Sequence, residues 1–128
     1  MEIVIENEHQ VNKLPSKKRR AVLAQSAQDL FLFNSVVAAL IERTEELDVY
    51  NTICQSTQIR QKSTSELASR VDTLFIIGDK NSSSTKKLSQ ISKRIRPRTY
   101  FIEKADQISP AMVGGTTNIG LSGGASTP

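Results

Sequence analysis

The amino-acid sequence predicts an α/β fold, a three-layer arrangement in which a parallel sheet is flanked by helices. Three observations carry the prediction. Thr73-Leu74-Phe75-Ile76-Ile77-Gly78 is a continuous apolar run bounded by polar residues, the pattern of a strand buried on both faces. Leu30, Phe33, Val37, Leu40 and Ile41 recur at three- and four-residue spacing, which puts them on one stripe of a helix. From Ala21 onward, strand-like and helix-like segments alternate with short polar turns. Such alternation means parallel strands joined by right-handed crossovers.

In chain order, Glu2 to Glu6 alternates acidic and β-branched residues and reads as a short edge strand, and Glu8 to Ser16 reads as a polar linker closed by Leu14-Pro15. Residues 1–16 are therefore a partial N-terminal strand and linker, and 17–128 the α/β region. Lys17-Lys18-Arg19-Arg20 reads as a solvated turn. Ala21-Val22-Leu23-Ala24 reads as a strand buried on both faces, and the apolar helix is capped near Gln28 or Asp29, with Glu42, Arg43, Glu45 and Glu46 at its polar end. Val49 to Ile53 reads as the next strand. The helix after it is capped by Ser56 or Thr57 and has Ile59, Leu67 and Val71 as its spine. After the Thr73 strand comes a helix with Leu88, Ile91 and Ile95 on one face, stopped by Pro97, then a strand at Thr99-Tyr100-Phe101-Ile102. Asp106 to Thr117 reads as a surface connection, and Asn118 to Ser122 as a last strand. Ser126 or Thr127 followed by Pro128 has the form of a helix start, from which a chain cut from a longer protein is expected.

Composition narrows the function classes. The 128 residues are 38% hydrophobic and 23% charged, which suits a globular domain with a core of its own. One cysteine rules out an internal disulfide and favours a reducing compartment. The acidic first residues do not resemble a secretory signal, so a cytoplasmic location is expected. The longest apolar run, Phe31 to Ile41, is interrupted by Asn34 and Ser35 and is too short for a membrane span. With 17 Lys and Arg against 13 Asp and Glu, the chain is moderately basic. Its aromatics are four Phe and two Tyr, none interleaved with basic residues, which argues against nucleic acid as a partner.

The chemistry-bearing residues fall in strand-to-helix turns. In open parallel sheets, ligands bind beyond the carboxyl ends of the strands. Cys54 lies in such a turn, although an isolated cysteine is more often a small buried apolar residue than a site. Asn81-Ser82-Ser83-Ser84-Thr85 lies in another, where free helix N–H groups and hydroxyls suit an anion; turn chemistry alone would also select these residues. Gly123-Gly124-Ala125-Ser126-Thr127 forms a third and Ser26 a fourth. A thiol converging with phosphate-type donors suggests a metal-thiolate centre beside a phosphorylated substrate.

On Thr52-Ile53-Cys54 with Thr57-Gln58 and Arg60-Gln61, on Gly78 and Lys80-Asn81-Ser82-Ser83 with Thr85, and on Gly123-Gly124-Ala125-Ser126-Thr127-Pro128, the sequence resembles the hydroxymethylbutenyl diphosphate reductases, the LytB or IspH family. The resemblance runs from about Val11 to the last residue and matches the C-terminal part of a three-lobed enzyme, so that the chain would form one to one-and-a-half lobes. It implies an iron-sulfur oxidoreductase of the methylerythritol phosphate pathway to isoprenoids. Such an enzyme reductively dehydroxylates 4-hydroxy-3-methylbut-2-enyl diphosphate to isopentenyl and dimethylallyl diphosphates. The family's cofactor is a 4Fe-4S cluster held by three cysteines, and Cys54 resembles the last of them. Ser82, Ser83, Ser84 and Ser126 match residues that hold the substrate diphosphate, and Ser26 falls where the family has a threonine near the reacting hydroxyl. The partners implied are the diphosphate substrate, an electron donor such as ferredoxin or flavodoxin, and the N-terminal remainder of the same protein.

There are departures. Ser84 replaces the family's usual Asn, Ser26-Ala27 a common Thr-Thr, and Ser122-Gly123 the usual Thr-Ala. The two other cluster cysteines, the substrate histidines and the proton-donating glutamate have no counterpart in these residues, and His9 lies outside the matched motifs. The chain taken alone is therefore expected to be inactive. Two alternatives to a piece of the reductase remain at this point: a noncatalytic phosphate-ligand or interaction module of the same fold, and a basic nucleic-acid binder using Lys17 to Arg20 and the Lys86 to Arg98 segment.

Overall fold

The structure, a computed structural model, describes residues 2–125 and Thr127. The chain divides into two compact units, residues 1–53 and 54–128. All the strand pairing is parallel, but the strands sort into two sheets rather than one, a pair β1-β2 in the first unit and a trio β4-β3-β5 in the second.

The first unit is a single β-α-β crossover preceded by a short helix, α1 (Glu8–Val11), where a polar linker is expected. β1 (Lys17–Leu23) pairs with β2 (Thr44–Tyr50), and α2 (Leu30–Ile41) connects them. Asp29 caps α2, its Oδ1 accepting from the N–H groups of Phe31 and Leu32 at 2.9 and 3.2 Å. Val36 and Leu40 of α2 pack with Val11, Leu14 and Val22, while Leu30 and Phe33 pack with Ile53 and Ala24. Two arginines lash the connections. The Arg20 guanidinium donates to the Arg43 carbonyl and the Thr44 hydroxyl, both at 3.0 Å, and to the Pro15 carbonyl. Arg43 donates in turn to the carbonyls of Leu14 and Asn12 at 3.2 and 2.8 Å.

Several expectations fail in this unit. Glu2 to Glu6 forms no strand. Lys17 to Arg20 is the first half of β1, not a turn. The apolar run that follows is not buried on both faces: Ala21 and Leu23 are exposed, because among the described residues β2 is the only strand bonded to β1 and α2 supplies the packing for one face. The α2 helix ends at Ile41, itself exposed, and Thr44-Glu45-Glu46 opens β2. Pairing explains that choice. Arg19 lies opposite Glu46, and their side chains meet at 2.8 Å, a cross-strand ion pair that a continued helix would forgo.

In the second unit, β3 (Thr73–Ile77) is central, flanked by β4 (Thr99–Ile102) and β5 (Ile119–Gly123). Helices α3 (Gln55–Arg70) and α4 (Ser83–Ile95) contribute Ala68 and Leu88 to a core built on Leu74 and Ile76. On the opposite side of β3, Phe75 stacks on Tyr100 with ring centres 5.6 Å apart. Gly120 lets α3 lie close to β5, since a Cβ there would sit 3.0 to 3.1 Å from Leu74, Leu67 and Val71. The α3 spine differs from expectation: Gln61, Thr64 and Ala68 are its buried residues, and Ile59 is exposed. Thr64 and Ser122 share a hydrogen bond of 2.7 Å that ties α3 to β5, which is why polar residues occupy that face. Ile95, expected on the buried face of α4, is also exposed. The Asp106 to Thr117 connection holds the end of a 3₁₀ turn (Ala105–Gln107) and a short helix, α5 (Pro110–Val113). Arg98 gathers the carbonyls of Ala111, Met112 and Gly114 at 3.2, 3.1 and 2.6 Å.

Candidate functional site

Two helix N-termini and one turn meet at the carboxyl end of β3. Cys54, rather than Ser56 or Thr57, is the cap residue of α3. The thiol is exposed, and its Sγ lies 3.1 Å from the Ser56 hydroxyl. That hydrogen bond, then the backbone N–H groups of Ser56 and Thr57, hold the Cys54 thiol below its ordinary pKa. The sequence alternative of a buried apolar cysteine does not hold.

Ser82 caps α4. Its Oγ accepts from the Thr85 N–H at 3.3 Å and from the Thr85 hydroxyl at 3.0 Å, and lies 3.2 Å from the Ser84 Oγ. The loop before it is folded by Asp79, whose carboxylate accepts from the Asn81 N–H at 2.8 Å and whose carbonyl accepts from the Ser82 N–H at 3.0 Å. On the other side, the turn after β5 is pinned to the end of β3. The Gly124 N–H and the Thr127 hydroxyl both donate to the Ile77 carbonyl, at 3.1 and 2.8 Å.

Between these elements runs a shallow, open cleft lined by Ser56, Thr57, Arg60 and Gln61 of α3, Ser84 and Leu88 of α4, and Ala125. Its polar lining is hydroxyls, an amide and one guanidinium, with no carboxylate among the described lining residues. Donors of this kind at helix N-termini favour an anion. Arg60 escaped the sequence reading as a site residue. It stands one helical turn beyond Ser56, on the same face, and donates to the Gly123 carbonyl at 2.9 Å, so it joins α3 to the glycine turn.

The residues nominated from sequence are thus distributed unevenly. Cys54, Ser82 and Ser84 belong to this strand-end site. Ser83 is exposed in the first turn of α4 and is not part of the cleft lining. Ser26 is exposed in the turn between β1 and α2, in the first unit. Ser126 lies outside the described residues. For an iron-sulfur cluster, the donor chemistry fits at one point only: Cys54 offers an exposed thiol biased toward thiolate, and no group of three or more His, Cys, Asp and Glu side chains among the described residues is placed to hold a metal.

Fold and cleft together define an α/β protein with a donor-lined cleft near an exposed thiol. The family follows from comparison: the model of the LytB protein family matches residues 1–128, and the chain belongs to that family. A 4-hydroxy-3-methylbut-2-enyl diphosphate reductase of Trichlorobacter lovleyi is 41% identical over 125 residues, covering 98% of this chain and 45% of the relative. The protein of the same name from Aquifex aeolicus is 40% identical over 126 residues, covering 98% and 44%. The chain therefore spans less than half the length of these relatives. A solved structure of (E)-4-hydroxy-3-methyl-but-2-enyl diphosphate reductase, the terminal enzyme of the non-mevalonate pathway, is 39% identical, with a TM-score of 0.58 over 97% of this chain and 44% of that one. The reductase structure from Plasmodium falciparum, 23% identical, has the same fold, with a TM-score of 0.82 over 97% of this chain and 40% of that one.

Proposed function

We propose that this chain supplies the diphosphate grip and one cluster thiolate of a 4-hydroxy-3-methylbut-2-enyl diphosphate reductase in isoprenoid precursor biosynthesis. The observation that carries the reading is the juxtaposition at the end of β3. An exposed, acidified thiol caps one helix, a hydroxyl cluster caps the next, and the cleft between their helices is lined by donors. Membership of the LytB family gives this arrangement its chemistry.

In this reading Ser82, Ser83, Ser84 and Ser126 hold the substrate diphosphate, assisted by the first-turn N–H groups of α4. Arg60 adds the positive charge and fixes the glycine turn against α3. Cys54 ligates one iron of a 4Fe-4S cluster, and Ser26 stands near the reacting hydroxyl. A cluster bound at Cys54 supplies the electrons of a two-electron reduction. The allylic C–O bond breaks, the hydroxyl leaves as water with one proton, and the remaining allyl group takes two electrons and one proton to give isopentenyl or dimethylallyl diphosphate. Electrons come from a one-electron carrier of the ferredoxin or flavodoxin class. With one cysteine in 128 residues, the remaining cluster ligands come from outside them. No helix among the described residues is long and apolar enough to cross a membrane; a cytoplasmic site of action belongs to this reading.

The test is anaerobic purification of the protein as its source cells make it, with Cys54→Ser beside it. The unaltered protein should show cluster absorbance and consume 4-hydroxy-3-methylbut-2-enyl diphosphate under a chemical reductant. Cys54→Ser should lose both, because a hydroxyl is a poor iron ligand. Full cluster absorbance in the variant would refute the assignment of Cys54.

A further inference from the structure

Thr85 is completely buried, yet both of its hydrogen-bond donors are spent on a single atom of the site. Its backbone N–H and its hydroxyl reach the Ser82 Oγ at 3.3 and 3.0 Å. A hydroxyl has two acceptor lone pairs and one hydrogen to donate. With both lone pairs of Ser82 engaged, its own hydrogen has to point away from Thr85. The partner within reach is the Ser84 Oγ at 3.2 Å, and Ser84 lines the cleft. Once Ser84 accepts from Ser82, its own hydrogen is free for the cleft.

The direction of this chain is held by packing. A Cβ added at Gly124 would collide with the Thr85 Oγ1, and one added at Gly78 would lie 2.8 Å from the Thr85 Cγ2 and 3.0 Å from its Oγ1. The two glycines therefore admit the threonine side chain where a larger residue would push it off Ser82. Burial also removes the competition from water that would let an exposed hydroxyl turn its hydrogen elsewhere.

We propose that Thr85 is a positioning residue that sets the polarity of the Thr85–Ser82–Ser84 hydroxyl relay, so that Ser84 presents its hydrogen to the cleft and favours an oxyanion such as a fully ionised phosphoryl group. This rests on the diphosphate reading above and adds the group that orients the grip.

The experiment is an NMR titration of this chain with inorganic pyrophosphate, raised to millimolar concentration, for the unaltered protein and for Thr85→Val, Thr85→Ser, Ser82→Ala and the Ser82→Ala/Thr85→Val pair. Valine keeps the shape and removes the side-chain donor, so Thr85→Val should bind about fivefold to tenfold more weakly, the worth of one hydrogen bond to a charged ligand's grip. Thr85→Ser keeps the donor and should bind within about twofold of the unaltered protein. Because Thr85 acts through Ser82, the double variant should bind no more weakly than Ser82→Ala alone. Should the amide spectrum show Thr85→Val unfolded, Thr85→Ala takes its place with the same expectation. Unchanged binding by Thr85→Val, or losses that add in the double variant, would overturn the Thr85 assignment and leave the diphosphate reading standing. Failure of the unaltered chain to bind pyrophosphate at all would overturn both, and shows itself before any variant is compared.

Discussion

Two apolar runs that read alike in the sequence end in different surroundings. Thr73 to Ile77 lies between two hydrogen-bonded strands; Leu74 and Ile76 are 0% exposed and Phe75 is 1% exposed. Ala21 to Leu23 lies in a two-stranded sheet, and Leu23 is 67% exposed, with Val49 and Tyr50 of the partner strand at 45% and 54%. The difference is the number of neighbours each strand receives from this chain. An apolar run encodes how much surface a strand can bury, and the surrounding elements decide how much it does bury.

The largest expected effect tests that comparison directly. Leu74→Ala removes a fully enclosed side chain and leaves a cavity beside Ala68, Val71 and Leu88, so it should cost about 2–5 kcal/mol of unfolding free energy. Leu23→Ala trims a side chain that is already largely in water and should change stability by about 0.5 kcal/mol or less. Urea denaturation of both variants checks the pair. Equal losses would mean that Leu23 is covered in solution and that the contrast between the two sheets is wrong.

A pair of identical substitutions should sharpen the comparison by giving opposite signs. In the second unit the Thr73 hydroxyl is buried without a hydrogen-bond partner, an arrangement that penalises the folded state. Thr73→Val keeps the shape, removes the orphaned group and should stabilise the protein by about 1–2 kcal/mol. In the first unit the Thr52 hydroxyl accepts from the Ala24 N–H at 2.9 Å and donates to the Ala24 carbonyl at 2.5 Å, closing the ends of β1 and β2 on each other. Thr52→Val should therefore destabilise by about 0.5–1.5 kcal/mol. The same denaturation curves read both shifts, and two shifts of one sign would contradict the hydrogen-bond assignments.

The same contrast explains what was legible in the sequence. β3, β4 and most of the α2 stripe were readable because neighbours from this chain cover them, so local pattern and final burial agree, whereas β5 leaves Ile119 and Leu121 exposed and the α2 stripe leaves Ile41 exposed. β1 is not doubly buried because it lacks a second strand neighbour among the described residues, and Thr44 to Glu46 is strand rather than helix end because it pairs with β1, a contact between segments far apart in the sequence, with Glu42 and Arg43 turning before it. At the site, the placement of Cys54 and Ser82 in strand-to-helix turns was legible, since caps are local. Arg60 and Thr85 were not, because Arg60 acts on a carbonyl 63 residues away and Thr85 acts from inside the core, where its neighbours are glycines from two other segments.

The smallest expected effect concerns how each unit fastens its connections. In the first unit the lashes are the Arg20 and Arg43 guanidiniums, which donate to main-chain carbonyls. In the second, Asp72 holds the entry to β5: its Oδ2 accepts from the N–H groups of Thr117 and Asn118 at 2.8 and 3.1 Å, and its own N–H donates to the Asn118 carbonyl at 3.0 Å. Those two N–H groups, Thr117 first and then Asn118, with lesser help from Arg96 and Arg98, hold the Asp72 carboxyl below its ordinary pKa. A carboxylate whose folded pKa is depressed stabilises the fold above its unfolded value, about 3.9, and that contribution is lost as pH falls through the lower folded value. Acidification below about pH 4 should therefore loosen Thr117 and Asn118 while the arginine-lashed connections of the first unit stay protected. Amide hydrogen exchange, corrected for the intrinsic pH dependence of exchange, reads the two regions in one experiment. Asp72→Asn, which keeps one acceptor but not the charge, should show part of that loosening already at neutral pH and little further change on acidification. A variant that still loosens on acidification as the unaltered protein does would assign the acid sensitivity to another group.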